Sequence, residues 1–167
     1  QGRPPQTILG TGFTAQGFDI SAPYHRLPGS LDPRAAFIFK GVGKDEIIGN
    51  FGLIGGGASG LEIDRADEKL GTPPHALVLA TSQGGHTDVY MVVCEEILAT
   101  VPGLGGTENG LVRADMVFYE TPNGGAVWSS SSIAWAGSLS HNNYDNNVAR
   151  ITSNVLKRFL DSAPLVR

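Results

Sequence analysis

Residues 75–80, HALVLA, form an apolar run that follows two prolines, Pro73 and Pro74, and precedes the turn residues 82–85, SQGG. A short apolar run bounded by turn residues is typical of a strand that is covered on both faces. The sequence therefore predicts a buried central strand at 75–80.

Further strands are predicted on both sides of this run. Residues 116–120 (MVFYE) and 126–129 (AVWS) are strand-like and are joined by the turn residues TPNGG. An Asn-Gly pair between apolar runs favours a β-hairpin, because a type I′ turn needs positive φ at both central residues. Apolar content also predicts strands at 35–39, at 47–54 and, more ambiguously, at 89–98.

The hydrophobic period changes near the end of the sequence. Apolar residues recur at helical spacing, namely Val148, Ile151, Val155 and Phe159, with Leu156 and Leu160 beside them. Asp145 or Asn146 can cap the first turn, so we predict an amphipathic helix over residues 145–160. Strands followed by a covering helix indicate an α/β layered domain over residues 35–167.

Residues 1–34 are predicted to be an irregular connecting segment. Three prolines and a Pro-Gly pair occur within residues 22–34, and such residues favour turns over regular structure. The sequence starts without Met, without a charged leader and without an apolar signal core. We expect the start to lie inside a longer polypeptide.

Composition excludes several classes of partner. The formal net charge is -4 and no basic cluster is present, which argues against binding to nucleic acid or to an anionic membrane. No stretch approaches the ~20 apolar residues of a membrane span, and the single cysteine excludes an internal disulfide. We therefore expect a cytoplasmic protein.

The glycine-rich stretch 55–67, GGGASGLEIDRAD, is open to two interpretations. Gly55, Gly57 and Gly60 match the G-x-G-x-x-G spacing of a dinucleotide-binding turn, which requires a helix to follow. The alternative is a tight crossing, where two backbones approach so closely that a side chain would not fit. No lysine follows in P-loop spacing, so a phosphate cradle lacks its main anchor.

Glu62 is the candidate catalytic residue. It lies between Leu61 and Ile63, and an apolar environment raises the pKa of a carboxyl group toward the range that suits proton transfer near neutral pH. The alternative is that Glu62 occupies an outward position on a half-buried strand.

Four other residues are candidates for a substrate pocket. His86 follows the predicted central strand, and α/β proteins bind ligands at the carboxyl ends of parallel strands, although a solvated loop histidine is the alternative. His141 and Asn142 lie in a polar run that can instead serve turns and helix capping. Trp128 can wall a pocket or anchor the core. No spacing of His or carboxylates predicts a complete metal site.

Three segments of the sequence resemble the C-terminal portion of the large subunit of N,N-dimethylformamidases. They are FGLIGGGASGLEIDRAD, GTPPHALVLATS and the long run from RADMVFYE to VLKRF. The resemblance implies a class I glutamine-amidotransferase-like α/β fold, a small amide substrate, and assembly with a small subunit and other large subunits. It also implies a mononuclear iron whose Tyr, His and Glu ligands lie outside this sequence, with Glu62 near the iron-bound water.

Two functions follow from this resemblance. The first is part of an iron-dependent amidohydrolase that converts N,N-dimethylformamide to dimethylamine and formate, with Glu62 moving protons. The second is a structural domain that completes a sheet and forms subunit contacts while the chemistry takes place elsewhere. The cysteine nucleophile elbow of amidotransferases is absent, so glutamine amidotransfer is not expected.

Overall fold

The computed structural model describes residues 2–94, 99–100 and 103–165. The helices of these residues are α1 (Gln6–Leu9), α2 (Ala134–Ser138) and α3 (Asn147–Leu160). The strands are β1 (Gly12–Ala22), β2 (His25–Arg26), β3 (Ser59–Arg65), β4 (Leu77–Thr81), β5 (Met91–Cys94), β6 (Ala99–Thr100), β7 (Asp115–Glu120) and β8 (Ala126–Ser129). Short 3₁₀ turns connect several of them.

The strands form two four-stranded sheets. The first sheet has the order β3-β1-β5-β6 and the second has the order β2-β4-β7-β8. Every strand pair in both sheets is antiparallel. Buried residues of both sheets and of α3 belong to one hydrophobic cluster, so the two sheets and the helix share a core.

The prediction for residues 1–34 is wrong in its first part. Residues 12–22 form β1, which pairs with β3 on one side and β5 on the other. Its sequence, GFTAQGFDISA, lacks a clean alternation, and its pairing partners lie far along the chain. Residues 23–34 contain no long element: they hold the Tyr24 bridge, the two-residue strand β2 and two 3₁₀ turns that begin at Pro28 and Pro33.

Two predicted strands are absent from the described structure. Residues 36–40 are turns, and in 47–54 only Ile48 makes a bridge, with Tyr24. The apolar pattern in these runs reflects burial, because Ile38 and Ile48 are both fully buried in the core. The third predicted strand contains β5, and residues 95–98 of that prediction lie outside the described residues.

The predicted central strand is present as β4, where Leu79 and Ala80 are fully buried. Its neighbours β2 and β7 are antiparallel to it, so the argument from carboxyl ends of parallel strands is wrong for this sheet. The predicted resemblance to a glutamine-amidotransferase-like fold stays a prediction.

The hairpin prediction is confirmed by the pairing of β7 with β8. Its turn is not type I′, because only Gly124 of the loop has a positive φ. The Gly124 N–H donates to the Thr121 carbonyl and the Thr121 N–H donates to the Gly125 carbonyl. Pro122 holds the first turn position at negative φ, which suits a longer loop with one left-handed glycine.

The predicted amphipathic helix is confirmed as α3. Asn146 caps it by accepting a hydrogen bond from the Ala149 N–H at 2.8 Å. Val148, Ile151 and Val155 are buried as predicted, whereas Phe159 is 42% exposed. None of the helices in the described ranges has the length and apolar composition that a bilayer crossing requires.

Asp115 links the two sheets. This buried carboxylate on β7 accepts hydrogen bonds from the Thr81 hydroxyl on β4 and from the Ala66 N–H, which directly follows β3. Arg113 pairs with it at 2.9 Å. Burial raises the pKa of Asp115, and the Arg113 charge opposes that shift. The ends of β3, β4 and β7 are therefore held at one polar junction.

Candidate functional site

The glycine-rich stretch is a tight backbone crossing, as one of the two interpretations predicts. A Cβ on Gly57 would lie 2.6 Å from the Ser21 carbonyl oxygen and 2.7 Å from that of Ala22. These distances leave no room for a side chain between the stretch and the end of β1. The strand β3 begins at Ser59 and includes Gly60, where a dinucleotide-binding turn requires a helix, so the dinucleotide-binding interpretation is wrong.

The crossing leads into a residue with unusual backbone geometry. Leu61 has a φ of 62°, which lies in the left-handed region that residues other than glycine avoid. Its N–H donates to the Tyr90 hydroxyl at 3.0 Å. The preceding residue, Gly60, donates its N–H to the Ser132 hydroxyl, which in turn donates to the Gly60 carbonyl. Three contacts therefore fix the backbone immediately before Glu62.

Glu62 lies on the outward face of β3. It is opposite Gln16 of β1 and its side chain is exposed, whereas the next residue, Ile63, is fully buried. The alternation of the strand places successive side chains on opposite faces, so the outward-position alternative is confirmed. The catalytic role of Glu62 stays a prediction.

His86 is neither solvated nor part of an open pocket. It is 2% exposed, and its Nε2 lies 2.8 Å from the Ser82 hydroxyl and 3.3 Å from the Ser59 hydroxyl. Ser82 already accepts hydrogen bonds from the Ser59 hydroxyl and from the Ala114 N–H. Its own proton therefore goes to His86 Nε2, which assigns the neutral Nδ1–H tautomer.

Burial lowers the pKa of His86 to about 4, and the nearby Asp19 charge opposes this shift only in part. A serine beside a neutral histidine can in principle form a nucleophile and base pair. Here Ser82 is fully buried and both of its lone pairs are occupied, so an amide carbonyl has no approach to it. The His86 cluster is a structural polar network.

This network supports the backbone at Glu62. The ring centroids of His86 and Tyr90 lie 4.4 Å apart, and the Tyr90 hydroxyl accepts the hydrogen bond from the Leu61 N–H. Two of the predicted site residues, Glu62 and His86, are thus connected through Tyr90. Sequence reasoning missed Tyr90 and the serines, and the only available signal was Ser82 four residues before His86 in a turn.

The remaining candidates lie elsewhere. His141 is exposed and stacks on Phe51 with ring centroids 4.1 Å apart. Asn142 has a left-handed backbone and donates to the Asp145 carbonyl, which confirms the turn alternative. Trp128 packs edge-on against Trp135 at 5.7 Å beside the core, so it is a core anchor.

The described residues do not fit a metal centre by themselves. Within residues 2–94, 99–100 and 103–165, no three His, Cys, Asp or Glu side chains are grouped in a way that could hold a metal ion. A mononuclear iron site would therefore need ligands from other residues of the protein.

Comparison with known proteins gives the family. Residues 1–146 match the family model described as N,N-dimethylformamidase beta subunit-like, C-terminal. The chain is 51% identical over 98% of its length to the N,N-dimethylformamidase beta subunit of Paracoccus aminophilus. It is 47% identical over 99% of its length to the protein of the same name from an Alcaligenes species. In both cases it spans 22% of the relative's length. The chain belongs to the family of N,N-dimethylformamidase beta subunit-like C-terminal regions.

Proposed function

We propose that this chain is part of an amidohydrolase that converts N,N-dimethylformamide to dimethylamine and formate. The observation that carries the proposal is the identity of about one residue in two with two N,N-dimethylformamidase beta subunits along almost the whole chain. Because the chain spans 22% of each relative, the complete active site includes residues beyond those described.

Glu62 is the residue of this chain that we assign to catalysis. Its carboxylate is exposed on an edge strand of the first sheet, where another part of the protein can cover it. The backbone before it is strained at Leu61 and held by Tyr90 and Ser132. Strained residues that the surroundings hold in place are typical of functional sites, where they fix a reacting group. Glu62 accepts a proton from the attacking water or delivers one to the departing amine.

The cofactor and partners belong to the complete protein. An iron ion would polarise the amide carbonyl, and its ligands would come from residues outside those described, since the described ones form no metal group. The name beta subunit, which both relatives carry, supports assembly with a second kind of subunit. We propose a small subunit and further copies of the large subunit as the partners.

The test is Glu62→Gln in the complete enzyme, with release of dimethylamine from N,N-dimethylformamide as the measurement. Loss of a general acid or base lowers kcat by roughly 10²- to 10⁴-fold, and the same assembly should form. Glu68→Gln is the matched control, because Glu68 is also exposed and lies in the turn just after β3. An unchanged kcat for Glu62→Gln would remove Glu62 from the mechanism.

A structural and assembly role is the second candidate function. Two observations favour it: Glu62 is exposed, and α3 leaves Leu156 57% and Leu160 85% exposed beside the half-exposed Phe159. Under this alternative, the Glu62→Gln enzyme hydrolyses N,N-dimethylformamide at the normal rate. Leu156→Ser combined with Leu160→Ser weakens subunit assembly. Size-exclusion chromatography of the two variants, run beside the kinetic assay, separates the alternatives.

A further inference from the structure

A recess lies on the first sheet and is lined by residues that the proposed hydrolysis does not use. This cavity is half open to solvent, has a volume of about 420 Å³ and is bordered by the N-terminal residues, by β1, by β5 and by the end of β3. Its apolar wall consists of Phe13, Leu70, Val92 and Val93. Its polar residues are Arg3, Thr14 and Arg65.

Arg65 carries unused hydrogen-bonding capacity at this cavity. The residue is 8% exposed, and its Nε and Nη2 both donate to one oxygen of Asp67, at 3.3 and 2.8 Å. Its Nη1 is buried and has no partner. A guanidinium has five N–H donors in a rigid fork, and a buried donor without an acceptor is costly.

Thr14 adds a second unpartnered group at the same cavity. It is 5% exposed, and its hydroxyl is buried without a hydrogen-bond partner. The pairing of β1 with β3 shifts by one residue between Phe13 and Ala15, so Thr14 is the bulged residue. Bulges commonly redirect a side chain. Thr14 lines the cavity on β1, and Arg65 lines it on the neighbouring strand β3.

The charges at the cavity favour an anion. Two guanidinium groups, of Arg3 and Arg65, line it, and Asp67 is the one carboxylate that pairs with either of them among the described residues. The second oxygen of Asp67 accepts a hydrogen bond from the Lys69 N–H. One further negative group would balance the second cation, and the two oxygens of a carboxylate can accept from Arg65 Nη1 and from a neighbouring hydroxyl at the same time.

We propose that this cavity binds a carboxylate, with Arg65 and Thr14 turning their buried Nη1 and hydroxyl groups toward its two oxygens and the apolar wall receiving a short aliphatic stem. The carboxylate has two possible sources: a free monocarboxylate, or a Glu or Asp side chain from a part of the protein outside the described residues. Both sources share the same chemistry, and an experiment can separate them.

The first arm tests a free ligand on the complete subunit by thermal denaturation with sodium acetate or sodium butyrate, against sodium chloride at equal ionic strength. A bound carboxylate raises Tm in a saturable manner, and butyrate acts at lower concentration because its stem contacts the apolar wall. Thr14→Val keeps the shape and weakens the apparent affinity about tenfold or more. Arg113→Lys alters another buried Arg–Asp pair and keeps the response.

The second arm tests a side chain of the protein. Carbodiimide coupling of the complete Arg65→Lys variant joins the new amine to a carboxylate in direct contact, and peptide mass spectrometry identifies the partner. A link to a Glu or Asp other than Asp67 assigns the ligand to the protein itself. The proposal is overturned if neither carboxylate raises Tm above the chloride control and coupling occurs only with Asp67 or not at all.

Discussion

The Tyr90 hydroxyl accepts a hydrogen bond from the Leu61 N–H at 3.0 Å, and Leu61 is the left-handed residue immediately before Glu62. Tyr90 is fully buried and also packs against the His86 ring. An interior side chain thus determines the backbone conformation at the exposed carboxylate that we assign to catalysis. This relationship gives Glu62 a fixed position even though its own side chain is exposed.

Tyr90→Phe tests this relationship. Removing the hydroxyl leaves the Leu61 N–H without its acceptor, so we expect a loss of about 1 to 2 kcal/mol in the free energy of unfolding. We also expect kcat to fall about tenfold with KM unchanged, because a poorly held carboxylate is misplaced for proton transfer. Steady-state kinetics and urea denaturation measure the two effects.

Tyr119→Phe is the control for that variant. Tyr119 is also buried, and its hydroxyl donates to the Ile8 carbonyl and not to a residue of β3. Its loss should reduce stability by a similar amount and leave kcat unchanged. Equal kcat values for the two variants would contradict a role for Tyr90 in positioning Glu62.

Local sequence signals were sufficient for α3 and for the hairpin. The apolar residues at 148, 151 and 155 follow the helical period, and Asn146 supplies the cap within the same segment. The strand β1 was missed because its evidence is not local: β1 is defined by pairing with β3 and β5, which begin some 40 and 70 residues beyond its end. Its mixture of glycines and polar residues gives no period by itself.

In the candidate site, too, local signals were predictive and contacts between distant residues were not. Glycines beside an apolar run indicated the backbone crossing, and the position of Glu62 in the alternation indicated a functional or outward residue. The contact of Tyr90 with Leu61 spans 29 residues, and that of His86 with Ser59 spans 27. Such contacts depend on how the strands pack, so no spacing rule could predict that His86 is buried.

Gly57→Ala tests the backbone crossing. The added Cβ would meet the backbone oxygens of Ser21 and Ala22 at 2.6 and 2.7 Å, and the end of β1 cannot yield without disturbing its pairing with β3. We expect a loss of about 1 to 3 kcal/mol in the free energy of unfolding. Gly43→Ala is the control, since the nearest atom to its Cβ is 3.4 Å away. Equal denaturation midpoints for both variants would exclude a steric requirement at Gly57.

Asn146→Ala tests the link between α3 and the turn that precedes it. The Asn146 side chain accepts from the Ala149 N–H and donates to the carbonyls of Leu139 and His141. We expect a loss of about 1 to 2 kcal/mol in the free energy of unfolding. Asn50→Ala should change stability by less than about 0.5 kcal/mol, because the Asn50 side chain is exposed. Thermal denaturation of both variants provides the comparison.

His86 should make the protein sensitive to mild acid. Its folded-state pKa is about 4, below the ordinary value of 6.5, so the unfolded chain binds a proton that the folded chain does not accept. The contribution of neutral His86 to the free energy of unfolding is therefore complete above pH 6.5 and is lost as the pH falls from 6.5 to 4. The difference of about 2.5 pKa units corresponds to about 3 kcal/mol.

Burial of the ring makes protonation of His86 unfavourable, and the network offers the charged ring no free acceptor at Ser82. A charged His86 would donate from Nε2 toward Ser82, whose lone pairs already accept from Ser59 and Ala114. We expect His86→Gln to be less stable than the wild type at pH 7.5 and to lose much less stability between pH 6.5 and 4. His141→Gln, which changes an exposed histidine, should keep the wild-type slope. Parallel stability curves for His86→Gln and the wild type over this pH range would show that His86 is protonated equally in the folded and unfolded states.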